Sequence, residues 1–186
     1  MQKALGKLTR VVNSLVESAT EVLSGQPYCI RVRRTLLSIQ PTSTTDLPVV
    51  LSRQLLGSPG VWLTASLDLT TALNIADRSL KASGKYAMGF STVEQDILKQ
   101  CYEAISRRFA TSLSKEFEYD EAVGYIPGSA RLSFGRRVAT VPSGWPEPFV
   151  AELDMPEGLL QLCIAIESTS SFTWHELASA DCVDVG

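Results

Sequence analysis

In this 186-residue chain Glu17 is followed three positions later by Thr20 and Glu103 by Ser106, in each case a small hydroxyl residue. On a helix, residues i and i+3 point the same way, so each pair sets a carboxylate acceptor beside a rotatable hydroxyl. The chemistry open to such a pair is hydrogen bonding and electrostatics at a surface. A single pair carries little weight, because the combination is common on soluble helices. Its interest comes from position, since both pairs fall at corresponding places in an internal repeat. Lys99, Gln100 and Arg107 extend the polar face around the second pair, and Asn13 stands one turn before Glu17.

Other chemistries find no support. There is no phosphate-binding glycine loop, no G-x-G-x-x-G and no nucleophile elbow. His175 is the one histidine and lies in a polar, acidic tail, where a surface residue is the plain reading. Cys29, Cys101, Cys163 and Cys182 are far apart and match no zinc spacing, so they read as reduced thiols of a cytoplasmic protein. A net charge of −3 and a pI near 5.2 argue against a nucleic-acid surface. The small basic groups at Arg31, Arg33 and Arg34, at Arg107 and Arg108, and at Arg136 and Arg137 read as solvated faces. Arg136 and Arg137 also lack the D-x-S-x-x-G partner of a cyclic-dinucleotide receptor. Lys3, Lys7 and Arg10 precede no secretory apolar core, and no run of about twenty apolar residues could span a bilayer.

The elements that must position the pairs come twice. Leu5, Leu8, Val12, Leu15, Ala19 and Val22, joined by Val11, Val16 and Leu23, form the stripe of a first helix that stops at Gly25 and Pro27. Tyr28 to Ile39 reads as a strand, Gln40 to Asp46 as a loop, and Val49–Leu55 with Val61–Ala65 as a hairpin closed around Gly60. Ser66 or Asp68 caps a second helix that runs to about Lys81 with Leu69, Leu73, Ala76 and Leu80 inward. Ser91 and Glu94 form a capping box for a third, whose stripe is read as Val93, Ile97, Cys101, Ile105, Phe109 and Leu113. A strand at Ala130–Val138 and a hairpin at Phe149–Leu153 and Leu159–Glu167, turning at Gly158, complete the second copy. Two copies are too few for a solenoid, which needs about three or more units. The expected fold is α+β: pseudo-symmetric αβββ repeats forming one mainly antiparallel sheet, with helices one and three packed on one side, polar faces outward. It occupies residues 1–167 as a single domain, followed by the 168–186 tail. An uncovered edge strand would permit a homodimer.

The segments VNSLVESATEVLSG, LLGSPGVWLTASLDLTTALNIADRSL, YEAISRRFATSLSKEF and PFVAELDMPEGLLQLCIAIE resemble, over about residues 10 to 167, the CheC, CheX and FliY chemotaxis phosphatases and the related FliM middle domain. That resemblance implies a cytoplasmic signalling protein whose partner is a CheY-like receiver domain or a flagellar protein. Members carry E-x-x-N on two pseudo-symmetric helices: the Glu engages the regulator and the Asn orients the water that attacks its aspartyl phosphate. The receiver domain supplies the Mg²⁺, so no cofactor of the chain's own is expected and positioning does the work. The motif glutamates fall on Glu17 and Glu103, the asparagine positions on Thr20 and Ser106. A short hydroxyl reaches less far than an amide and can bond back to the carbonyl four residues earlier. The resemblance therefore implies docking of a phosphorylated receiver domain with weak or no hydrolysis. An active aspartyl-phosphate phosphatase using Glu103/Ser106 and Glu17/Thr20, or an interaction module unrelated to receiver domains, are the alternatives.

Overall fold

Alternating strands and one-sided helices each need a surface to cover, and here a single sheet meets both needs. The computed structural model describes residues 2–23, 29–34, 49–80, 90–117, 124–134, 144–145 and 148–167. They hold helices α1 (Gln2–Leu23), α2 (Leu69–Leu80) and α3 (Thr92–Glu116). The strands are β1 (Cys29–Arg34), β2 (Val49–Leu56), β3 (Val61–Leu67), β4 (Ile126–Pro127), β5 (Arg131–Phe134), β6 (Phe149–Met155) and β7 (Gly158–Ile166). The expected strand continuation to Ile39, the Gln40–Asp46 loop, the strand beyond Phe134 with Arg136 and Arg137, Cys182, and the tail from Ser168 with His175 lie outside the described residues.

All seven strands join one antiparallel sheet in the order β1-β6-β7-β3-β2, with β4 and β5 both on the outer edge of β2. β3 pairs with β7 at the centre, Val61 opposite Ile166 and Leu67 opposite Leu160. On either side the first strand of each half pairs with the second strand of the other: β1 with β6, and β5 with β2. The expected αβββ repeat is thus α1-β1-β2-β3 and α3-β5-β6-β7, with edge strands exchanged.

One sheet face carries Val61, Leu63, Ala65 and Leu67 from β3 with Leu160, Leu162, Ile164 and Ile166 from β7, all buried against the helices. Each buried aliphatic side chain of this kind contributes about 1.5–3 kcal/mol. Exposed ion pairs between α1 and α3, Arg10 with Glu116 and Arg108 with Glu21, are worth ~0–1 kcal/mol each. Burial therefore holds the helices on the sheet, and the ion pairs only align them. The two pairs link the early part of α1 to the late part of α3 and the reverse, so the helices run antiparallel.

Local chemistry explains the helix boundaries. Asp68 caps α2, its Oδ1 accepting from the Thr71 amide at 2.7 Å and its Oδ2 from the Thr71 hydroxyl at 2.8 Å. Ser66 is instead a buried residue of β3. At α3 the Ser91 amide donates to Glu94 Oε2 at 2.6 Å and the Glu94 amide to Ser91 Oγ at 3.3 Å, the expected capping box. In the last hairpin Gly158 has φ +136°, and a side chain there would collide with Thr71 as well as strain the backbone.

The inward stripe of α3 differs from the one expected. Val93 is 56% exposed and Cys101 only half-buried, whereas Leu98, Tyr102, Ile105, Ser106, Phe109 and Leu113 are buried. A stripe stepped only by four drifts, because each step overshoots a 100°-per-residue helix by about 40°. Alternating steps of three and four keep to one face. The α2 stripe likewise lies at Ala72, Ile75 and Ala76, with Leu73 half-buried.

Cys163 faces away from the helices on β7 and is 4% exposed. Burial, with a smaller push from the Glu152 charge, raises its thiol from the ordinary 9.0 to about 12. Between those values the unfolded chain loses a proton that the folded chain keeps, so stability falls as pH rises. The urea midpoint is expected to drop from pH 9 toward pH 11, and to drop less in Cys163→Ala; equal slopes for both proteins would refute this source.

Candidate functional site

Glu103 and Ser106 lie on α3 as expected, but they do not share an outer face. Glu103 is partly exposed, its side chain at 41%, and its Oε1 accepts from Arg107 Nη2 at 2.7 Å. Ser106 is 0% exposed. Its Oγ accepts from Arg53 Nη1 at 2.6 Å and shares its proton with the carbonyls of Tyr102 at 2.8 Å and Glu103 at 3.1 Å. The hydroxyl is bonded back into its own helix and locked beneath it. The expectation that it faces outward is corrected: α3 is turned so that Ser106 lies in the core with Ile105 and Phe109.

Arg53 is the residue that sequence reasoning missed. It belongs to β2, where Val49, Leu51, Arg53 and Leu55 alternate onto the helix-facing side, and it is 5% exposed. The signal was present in VVLSRQLL: a period of two carries a guanidinium onto an otherwise apolar face. Arg53 Nη2 stands 3.7 Å from Glu103 Oε1, close enough to feel the charge but too long for a hydrogen bond. Beside it Tyr102, 2% exposed, donates its hydroxyl to the Leu63 carbonyl at 2.7 Å. Burial pushes the Tyr102 phenol far above its ordinary range, with the Arg53 charge pulling the other way. Tyr102 is therefore a neutral strut between α3 and β3.

A groove of about 640 Å³ opens beside these residues, between α3 and the β2 edge. It is lined by Glu103, Arg107, Thr111, Ser114 and Lys115 from α3, by Arg53 from β2, and by Tyr125, Ile126 and Pro127. Tyr125 is held in place by its hydroxyl, which donates to the Pro59 carbonyl at 2.6 Å, and by its amide, which donates to Ser114 Oγ at 2.9 Å.

On α1, Glu17 is exposed while Asn13 and Thr20 are half-buried. The two glutamate pairs are not equivalent. The buried series Val11, Val12, Leu15, Val16 and Ala19 recurs on α3 as Ile105, Ser106, Phe109, Ala110 and Leu113. In that phase Ser106 takes the place of Val12, and Glu17 and Thr20 match Thr111 and Ser114. Gln100 is exposed, and Lys99 pairs with Asp96 at 3.5 Å. Among the described residues no group of His, Cys, Asp and Glu could hold a metal ion. No helix among them is long and apolar enough to cross a membrane.

Removing the Ser106 hydroxyl leaves a buried guanidinium without its hydrogen-bonded acceptor, a loss of about 1–3 kcal/mol. Ser106→Ala is expected to lower urea stability by that amount, and Glu103→Ala, at a partly exposed position, by less than about 1 kcal/mol. An equal cost for both would show that Ser106 is no more structural than its neighbour.

No protein-family model matches the chain, and no curated protein matches it. Solved structures do. A CheC-like superfamily protein from Shewanella sp. PV-4 superposes with a TM-score of 0.63 at 10% identity, over 86% of this chain and 98% of the other. CheX in the CheX–CheY–BeF3–Mg²⁺ complex from Borrelia burgdorferi gives 0.61 at 14% identity, over 87% and 97%. FliY from Thermotoga maritima gives 0.56 at 16% identity, over 85% and 84%. The exchanged-edge sheet, its three helices and this near-complete coverage agree: the chain has the fold of the CheC-like, CheX and FliY proteins.

Proposed function

We propose that this chain is a chemotaxis or two-component signalling module that docks a phosphorylated receiver domain of the CheY type and leaves its aspartyl phosphate unhydrolysed. The fold supports the partner class, because a CheX of this architecture has been solved with CheY, BeF3 and Mg²⁺. The observation that carries the loss of hydrolysis is the burial of Ser106. At Ser106, where the E-x-x-N spacing from Glu103 expects a water-orienting amide, a fully buried hydroxyl has its proton committed to backbone carbonyls and accepts from Arg53, and at Ser114, which the helix phase matches to Thr20, the hydroxyl donates to the Ala110 carbonyl. A group so placed can neither reach a partner nor hold an attacking water.

Docking asks for less. Gln100, Glu103 and Arg107 on α3, with Glu17 and Asn13 on α1, supply surface acceptors and donors, and any Mg²⁺ in the complex belongs to the receiver domain. If hydrolysis survives anywhere, α1 is the favoured place, since Glu17 is exposed there and Thr20 is not fully buried.

The test is the decay of a phosphorylated receiver domain from the same organism, with and without the chain, alongside co-elution of the two. The expected result is co-elution of the BeF3- and Mg²⁺-loaded receiver, with a decay rate unchanged within about twofold, below 0.5 kcal/mol in barrier. Co-elution should weaken in a Glu17→Lys, Glu103→Lys double variant. Accelerated decay abolished by Glu17→Ala would overturn the non-hydrolytic reading in favour of an α1-based phosphatase. Absence of co-elution would remove the receiver domain as partner.

A further inference from the structure

The groove beside Glu103 holds more positive charge than its carboxylate balances. Arg53, Arg107 and Lys115 line it, and Glu103 is the acid among its described lining residues. Arg107, Thr111 and Lys115 follow one another at steps of four, which keeps them along one flank of α3. Arg53 is the deep member. Its hydrogen bond goes to the neutral Ser106, Glu103 is too far for a second, and its Nε–H has no partner among the described residues. A buried guanidinium is stable only when paired and hydrogen-bonded, and the anion this one faces is a carboxylate at 3.7 Å that it shares with Arg107.

The remaining lining narrows the ligand class. The Thr111 and Ser114 hydroxyls donate to the carbonyls of Arg107 at 3.1 Å and Ala110 at 2.9 Å, so the donors left for a ligand are the cations. That favours a charged ligand over a neutral polyol. Three cations reaching in from two elements suit an oxyanion with three separate acceptor oxygens better than a planar carboxylate with two. The lining from Tyr125 to Pro127 adds apolar surface, with Ile126 64% exposed. A volume of about 640 Å³ falls in the range of small-molecule sites and exceeds what a bare inorganic anion fills.

We propose that this groove is a binding site for an organic phosphate monoester, its head meeting Arg53, Arg107 and Lys115 and its apolar body lying against Tyr125, Ile126 and Pro127. Glu103 then acts as a built-in competitor, since its carboxylate already engages Arg107 and faces Arg53. The site requires no receiver domain.

Calorimetric titration of the full chain with phenyl phosphate tests it, with benzoate and inorganic phosphate as comparison probes. Phenyl phosphate is expected to bind saturably and more tightly than either. The exposed double variant Arg107→Gln, Lys115→Gln should weaken it by about tenfold or more, and raised salt should do likewise. Glu103→Gln removes the competitor and should tighten binding by about threefold. Absence of saturation by about 10 mM, a level below any useful small-ligand affinity, overturns the proposal, as does unchanged affinity in the double variant. Benzoate binding equally well overturns the assignment to phosphate, and weakening in Glu103→Gln overturns the placement of the head. Because no receiver domain is present, failure here leaves the docking reading standing, and the reverse holds.

Discussion

β3 and β7 pair along their length, from Val61 opposite Ile166 to Leu67 opposite Leu160, and this one ladder joins the two halves of the chain. Neither half has a complete sheet of its own. Each lends its first strand to the other, β1 to β6 and β5 to β2, so neither half-sheet can form its full set of backbone bonds alone. The exchange also puts the apolar faces of both halves on one side, where α1 and α3 must lie together to cover them. Their antiparallel contact, aligned by Arg10 with Glu116 and Arg108 with Glu21, follows from the sheet.

Where α3 sits is set by the ladder; how it is rotated is set by what it buries. Phe109 and Leu113 are wholly inaccessible, and Tyr102 ties the helix to the Leu63 carbonyl of β3. Under the same face lies Arg53, a charge on an apolar strand side that needs an acceptor within reach. Ser106 meets that need. A hydroxyl that a one-dimensional motif would place at the surface is drawn inward because the alternative is a buried guanidinium with no hydrogen-bonded acceptor, which costs more than a buried serine. Glu103, three residues earlier, is left at the rim, where it serves Arg107.

The repeat and the sheet were legible in the sequence because they rest on strong local signals. Gly158 can take the turn that others cannot, Ser91 and Glu94 cap each other, and Val61–Ala65 alternates against a matching Leu160–Ile166. The site was legible only in part. Glu17 and Glu103 do reach solvent, as their charge requires, but the partners three residues on are decided by helix phase. Phase accumulates error when a stripe is stepped by four, and that error hid Tyr102 and Leu98 and turned Ser106 outward. Arg53 escaped notice for a different reason. Its meaning depends on α3 lying over β2, a contact between residues 53 positions apart that no local window contains.

The two halves have also diverged where they face outward. Along α1 the described charged residues after Arg10 are Glu17 and Glu21; along the matching stretch of α3 they are Arg107, Arg108, Lys115 and Glu116, the last already paired with Arg10. A pseudo-symmetric frame with equivalent sites would show a partner the same face twice. This one shows an acidic ridge beside a basic one, joined where Glu21 meets Arg108. Such a surface fixes the orientation of whatever docks on it, since a partner reversed end to end would set like charges together. The groove lies on the basic ridge and has no counterpart built from arginine and lysine on the described face of α1. The internal repeat of the fold therefore does not imply two copies of its function.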